Sequence, residues 1–267
     1  MHELLNTLYV QTPETWLLLD HDCVVARIAS EPPKRIPLRR LQGIAVFGPI
    51  NVSAPLIHRC GRDGIPISWF TAFGRFAGTL RGPTSGSVLL RRAQYAAHDD
   101  VAKRLEIARS MVAGKVLNCA RFARHSARLA PGGADGLRLG ADELDAIRLR
   151  LTESSSLDEL RGMEGAASRR HFDHVRISLR SDLEFGARSR RPPLSQVNAL
   201  LSFVYGLGRQ RCEHALDASG LDPQVGFLHS LRPGRPALAL DLLEEHRPVI
   251  DRLAVTLANR KQVVARC

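Results

Sequence analysis

Apolar residues recur along this chain with two different periods. Up to about Leu80 they come in short runs between turn formers, and beyond it they return every three to four residues over long stretches. Residues 15–19 and 23–28 are apolar, β-rich segments flanking the polar turn Asp20-His21-Asp22, a pattern that predicts a hairpin. Pro32-Pro33, Gly43, Gly48-Pro49, Gly61, Gly64 and Gly74 then break the chain at short intervals, with residues 44–47, 65–70 and 75–80 reading as further strands between them. Ser53-Ala54-Pro55 ahead of Leu56, Ile57 and Cys60 predicts one short helix, since proline is tolerated in a first helical turn.

The stretch 81–87, Arg-Gly-Pro-Thr-Ser-Gly-Ser, holds turn formers and no apolar residue, so it reads as a linker. After it the period becomes helical. Residues 88–129 carry no proline and are rich in alanine, leucine and arginine, which predicts long helices. Pro131-Gly132-Gly133 closes that region with a loop. Further helices are expected over 141–153, 157–175, 195–218 and from 237 to the end. Ser156-Leu157-Asp158-Glu159 supplies a capping-box start for the second of these. The expected class is therefore α+β: a small N-terminal β-rich domain over 1–80, the linker 81–87, and a larger all-α domain over 88–267.

Charge adds a partner to this outline. The 38 Lys+Arg against 27 Asp+Glu leave a formal charge of +11, and only Lys34, Lys103, Lys115 and Lys261 are lysines. Guanidinium groups bind phosphates bidentately, so an arginine-dominated excess suits a nucleic-acid backbone. Residues 1–87 carry nine basic and six acidic side chains, whereas 88–128 alone carry nine against three. Arg121, Arg124, His125 and Arg128 fall at helical spacing on one face and form a stripe of one sign, while Arg188-Ser189-Arg190-Arg191-Pro192-Pro193 forms a second basic run in a loop. Apolar runs such as 65–70 and 237–240 are much shorter than the roughly 20 residues of a membrane span. The N-terminus lacks the features of a secretory signal, and the five scattered cysteines suggest no disulfide framework. A cytoplasmic, membrane-free protein is expected.

Acids and histidines among small or apolar neighbours are the candidates for chemistry. Glu164 lies mid-helix between Gly162 and Gly165, each of which costs about 0.5–1 kcal/mol relative to alanine, so a close backbone approach is expected there. That approach could come from helix packing or from a ligand phosphate. His229 precedes the turn 232–236, and the following helix presents Asp241, Glu244 and Glu245 at spacings that share a face. Mixed carboxylate and imidazole ligands suit Mn²⁺ or Mg²⁺ better than a closed zinc site. His171 and His174, three apart, read as surface residues. No phosphate-binding P-loop, dinucleotide-binding or serine-esterase motif is present.

Taken in order, Leu160-Arg161-Gly162-Met163-Glu164-Gly165-Ala166-Ala167, then Arg191-Pro192-Pro193 with residues 197–203, then Gly220 through His229, and Asp241-Leu242-Leu243-Glu244, resemble the successive motifs of the CRISPR-associated endonuclease and integrase family of spacer acquisition, the universal "Cas-one" family. Leu38, Gly43-Ile44, Phe47-Gly48 and Ser53, with residues 89–95, are similar to the type I-C version. The likeness runs from about residue 4 to about 262. It implies an N-terminal β-domain, a helical catalytic domain, and a metal-dependent nuclease that inserts new spacers into a CRISPR array. It also implies a homodimer acting on double-stranded DNA, both prespacer and repeat, with a smaller partner, "Cas-two". The family's metal ligands fall on Glu164, His229 and Glu244, with Asp241 as a further catalytic acid, and Mn²⁺ or Mg²⁺ is the expected cofactor. Arg121, Arg124, Arg128, Arg190 and Arg191 are the expected DNA contacts. Members of this type continue through more helices past the position of Gln262, so the chain reads as shortened. The alternative reading that follows is a DNA-binding scaffold of the adaptation complex with weak or no catalysis.

Overall fold

The computed structural model describes residues 2–4, 6–29, 31–80, 82, 88–129, 131–189 and 192–263. The chain divides into two compact units, residues 1–85 and 86–267. The expected linker lies outside the described residues except for Gly82.

In the first unit the described strands are β1 (His2–Leu4), β2 (Thr7–Val10), β3 (Trp16–Asp20), β4 (Cys23–Ile28), β5 (Glu31–Pro37), β6 (Gly43–Phe47), β7 (Asn51–Val52), β8 (Ile67–Phe70) and β9 (Phe76–Leu80), with one helix, α1 (Ala54–Arg62). They form a five-stranded sheet in the order β1-β2-β6-β8-β9 and a four-stranded sheet in the order β5-β4-β3-β7. The predicted hairpin is present: β3 and β4 pair antiparallel, Leu17 opposite Ala26 and Asp20 opposite Cys23. Strand β6 is buried at every position and pairs parallel with both β2 and β8, as expected of an apolar central strand. Parallel neighbours need crossovers, and α1 lies on the one from β6 to β8. Leu56 and Cys60 of α1 are buried with Leu8, Val10, Leu17, Val24, Ile44, Val46 and Ile67 in one core.

Pro32-Pro33 does not break the chain. Both lie in β5, whose residues 31–35 are exposed and which forms one margin of the four-stranded sheet. Proline is tolerated at a sheet edge because no neighbour awaits its missing N–H.

The second unit contains α2 (Val88–Asp99), α3 (Val101–Leu129), α4 (Ala134–Arg150), α5 (Leu157–Ser178), α6 (Gln196–Ala218) and α7 (Ala237–Asn259). Helix α4 begins at Ala134, seven residues before the expected start, because Pro131-Gly132-Gly133 forms a single 3₁₀ turn and not an extended loop. The Ser156 hydroxyl caps α5 by accepting from the Glu159 N–H at 3.2 Å, and Glu159 in turn accepts from the Ser155 N–H at 2.8 Å. Ser195 caps α6 in the same way.

Helix α3 forms the spine of the core. Its buried face runs through Ala108, Val112, Val116, Cys119, Ala120 and Ala123, against Leu144 of α4, Leu160 and Ala167 of α5, and Leu243 of α7. Among these apolar residues one position is a lysine, Lys115, only 4% exposed. No described helix is long and apolar enough to cross a membrane.

Candidate functional site

Three helices carry polar side chains at matching intervals. Lys115 and Cys119 of α3, Glu164, Ser168 and His171 of α5, and Glu244 and Asp251 of α7, with Pro248 between the last two, are spaced three to four residues apart, so each set faces one way. On α5 and α7 these residues line a cleft of about 280 Å³ together with Lys115, Phe172, Tyr205, His229 and Arg247. Glu164, His229 and Glu244, chosen from the sequence, thus come to one place.

At the centre stands Lys115. Its ammonium donates to Glu164 Oε1 and, at 2.6 Å, to Glu244 Oε2, bridging carboxylates from two helices. The second Glu244 oxygen accepts from Arg247 at 3.0 Å. Glu164 also accepts from the Ser168 hydroxyl at 2.8 Å. Burial works against an ammonium at Lys115, yet the two carboxylates outweigh it and hold the group above its ordinary pKa. Burial likewise pushes Glu244 up, but Lys115, Arg247 and His229 overcome this and keep it ionised below the usual carboxylate range.

His229 is delivered by an irregular segment whose backbone is tied on both sides. Asp241, fully buried, accepts through Oδ2 from the N–H groups of Phe227 and Leu228 at 2.5 and 2.9 Å, and through Oδ1 from the His229 N–H at 2.9 Å. The carbonyls are held by Gln94 and His98 of α2, Arg104 of α3 and Arg161 of α5, which donate to Val225, Gly226, Phe227 and Leu228 respectively. Gly226 permits this close fit: a Cβ there would stand 2.5 Å from Asp241 Oδ2 and 2.7 Å from the Ala237 carbonyl carbon. His229 Nδ1 donates to Asp241 Oδ1 at 2.6 Å, which fixes the ring so that Nε2 faces the cleft, 4.0 Å from Glu244 Oε1. Asp241 therefore acts through His229 and has no oxygen turned to the cleft.

The donor set fits a divalent cation. Two carboxylates and an imidazole Nε2 whose other nitrogen is anchored by a carboxylate are hard and borderline ligands of the kind Mg²⁺ and Mn²⁺ take. Among the described residues no three His, Cys, Asp or Glu side chains already stand at metal-ligand separations. Lys115 holds the central position between the two glutamates.

Several sequence expectations change. Close packing around Glu164 is not the reason for its glycines, since a Cβ at Gly162 or Gly165 would meet nothing within 4 Å. His171 and His174 are buried, not surface residues. His171 bonds Asp251 at 2.7 Å, and Asp251 also accepts from the Tyr205 hydroxyl. Arg124 bonds Asp142 and Asp145 of α4, so one arginine of the α3 stripe is already paired by a neighbouring helix. Arg121 and Arg128 are exposed. Arg188, from the second basic run, is engaged by Asn198 and Ser202, while Arg190 and Arg191 lie outside the described residues. The sequence reading missed Lys115, Arg247 and the His171–Asp251–Tyr205 group. Only one signal could have found Lys115: a rare lysine in register with Val112, Val116 and Cys119.

A β-rich unit, followed by a helical unit with acids and an imidazole gathered around a buried cation, defines a two-part protein of the nuclease–integrase class. The family described as "CRISPR associated protein Cas1" matches residues 8–266. The chain belongs to this family. It is similar to the CRISPR-associated endonuclease Cas1 1 of Moorella thermoacetica, 44% identical over 98% of this chain and 78% of that one. It is also similar to CRISPR-associated endonuclease Cas1 2 of Rhodospirillum rubrum, 42% identical over 99% and 79%. Among solved structures, a CAS1 protein from Thermotoga maritima superimposes with a TM-score of 0.81 at 26% identity, covering 97% of this chain and 80% of that one. A casposase bound to integration product shares the fold, with a TM-score of 0.79 at 21% identity over 97% and 74%.

Proposed function

We propose that this protein is a divalent-metal-dependent DNA endonuclease and integrase that inserts spacers into a CRISPR array. The observation that carries the reading is the convergence of Glu164, Glu244 and the Nε2 of His229 on one cleft, in a chain 44% identical to a Cas1 endonuclease. Glu164, Glu244 and His229 are the residues that would hold the metal. When bound, Mn²⁺ or Mg²⁺ would polarise the phosphodiester and neutralise charge developing on it during attack by a DNA 3′-hydroxyl.

The chain's own groups do the rest. Asp241 locks the His229 ring, so its Nε2 meets the cleft without conformational search. Lys115 and Arg247 place two positive charges against the glutamates, within reach of an incoming phosphate. Glu164, its side chain 21% exposed, is the carboxylate of the site most open to an approaching DNA strand. Arg121 and Arg128, with Arg190 and Arg191, are proposed backbone contacts. A homodimer working with Cas-two, and the catalytic role of residues 88–267, belong to the same reading. A purely scaffolding role is not favoured, because it leaves the buried acids of the cleft without a purpose.

The test is strand transfer of a labelled duplex into repeat DNA with Mn²⁺. Wild type should be active, and Glu164→Ala or Glu244→Ala should lose at least about a hundredfold, the scale of removing a group that positions transition-state charge. Equal activity in wild type and Glu164→Ala would remove the catalytic reading.

A further inference from the structure

The two glutamates beside Lys115 are already compensated by cations of the protein. Glu164 and Glu244 supply two negative charges, and Lys115 and Arg247 supply two positive ones. His229 is paired through Nδ1 with the buried Asp241 at 2.6 Å. Ser168 and Tyr205 carry no charge, and the remaining cleft pair, His171 and Asp251, bond each other at 2.7 Å and offset one another. A divalent cation entering this set would add two positive charges to carboxylates that are already paired, in a largely buried site, which is strongly unfavourable. Two events can restore balance: Lys115 leaves the glutamates, and a phosphodiester enters. A lysine is built for the first, having a compact charge on a flexible four-carbon stem. The second gives the displaced ammonium a new partner, and Glu164 and His229, with side chains 21% and 22% exposed, open the cleft to it.

We propose that the Lys115 ammonium and the divalent cation compete for the same two carboxylates, and that a DNA phosphate decides the competition by giving Lys115 a second partner, so that metal loading is coupled to DNA binding. Lys115 is then a built-in counter-ion that keeps the centre poorly loaded until substrate arrives. This rests on the reading of Glu164, Glu244 and His229 as the metal centre.

Calorimetric or spin-resonance titration of Mn²⁺, with and without a short duplex, tests the coupling. Glu164→Gln serves as the control for metal bound by DNA alone. Wild type should bind Mn²⁺ at least about tenfold more tightly with DNA, a usual size for linked sites. Lys115→Met should bind Mn²⁺ at least about tenfold more tightly without DNA, and DNA should add little further. Unchanged Mn²⁺ affinity in Lys115→Met, or no effect of DNA on wild type, would overturn the proposal. If Lys115→Met does not fold, wild type still decides it. With only four lysines, the side-chain resonances of isotope-labelled lysine can be followed individually, with Lys115→Arg assigning one. The Lys115 signal should shift when Mg²⁺ and DNA are added together. A signal that stays in place at saturating Mg²⁺ and DNA excludes displacement. Should Mn²⁺ bind wild type and Glu164→Gln equally, the metal centre itself is wrong and the coupling falls with it. Metal that depends on Glu164 but not on Lys115 removes only the coupling.

Discussion

Asp241 commits both oxygens to protein donors, three backbone N–H groups and the His229 ring, and this determines what its replacement does. In Asp241→Asn the amide nitrogen must face at least one of those N–H groups, leaving buried donors unpaired. His229 then loses the bond that fixes its ring. Metal-dependent activity is expected to fall about 10–100-fold, as for other outer-shell partners of metal ligands, and stability by about 1–3 kcal/mol; strand transfer and urea unfolding measure the two. Gly226→Ala acts from the opposite side. Its Cβ would meet the Asp241 carboxylate and the Ala237–Leu238 backbone at 2.5 to 2.8 Å, none of which is the end of a flexible chain. A loss of about 1–3 kcal/mol is expected, with activity falling alongside that of Asp241→Asn. Full activity in Gly226→Ala would show that the segment has slack this packing denies. At this scale the sequence reached Glu164, His229 and Glu244, because glycine flanks and helical spacing are local signals. It could not reach Lys115, since a charge on a buried face is explained only by partners about 50 and 130 residues away, while Arg247, three residues from Glu244, shows in sequence only the spacing of an ordinary helical ion pair.

Helix–helix contacts explain a different set of residues. His174 of α5 is 1% exposed, with neither ring nitrogen hydrogen-bonded, and it packs against Gly140 of α4, where a Cβ would stand 2.0 Å from Nε2. Helix propensity alone would make Gly140→Ala stabilising by up to about 1 kcal/mol. The collision predicts the reverse, a loss of about 1–3 kcal/mol, and Gly140→Ala in a His174→Ala background should recover most of it. Additive losses in that double-mutant cycle would rule out the contact. Burial, reinforced by His171 and Arg170, lowers His174 to about 4. Between about pH 6.5 and 4 the unfolded ring takes up a proton that the folded ring refuses, so stability is lost as pH falls through that window, by at most about 3 kcal/mol. Urea midpoints at pH 7 and pH 4.5 should separate less in His174→Gln than in wild type, and an equal separation would assign the acid limb elsewhere. Most helices were legible from their periodicity, and α5 also from its serine cap. The start of α4 was not, because Pro131-Gly132-Gly133 reads locally as a stop but folds as one 3₁₀ turn. Nor was β5, where the partner strand and not the Pro32-Pro33 pair decides the conformation.

For the chain as a whole, the formal charge of +11 first points to a polyanion, but a count of charges cannot tell which of them are free to meet one. Along α3 the stripe Arg121, Arg124 and Arg128 looks uniform in sequence, yet Arg124 is held by Asp142 and Asp145 at 3.1 and 2.6 Å, on a helix that follows in the chain. A guanidinium already paired with two carboxylates releases few counter-ions when DNA arrives, whereas exposed Arg121 and Arg128 release nearly one each. The salt dependence of DNA binding separates these cases. In a plot of log K against log salt, Arg121→Ala and Arg128→Ala should each lower the slope by about 0.9, and Arg124→Ala by much less. Affinity at a single salt concentration would not distinguish them, because Arg124→Ala also frees two acids that repel the backbone and weakens binding by another route. Equal slope changes for all three arginines would mean that the Asp142 and Asp145 pairs open when DNA binds. An unchanged slope for Arg121→Ala and Arg128→Ala would place the DNA path on a different face of the helical unit.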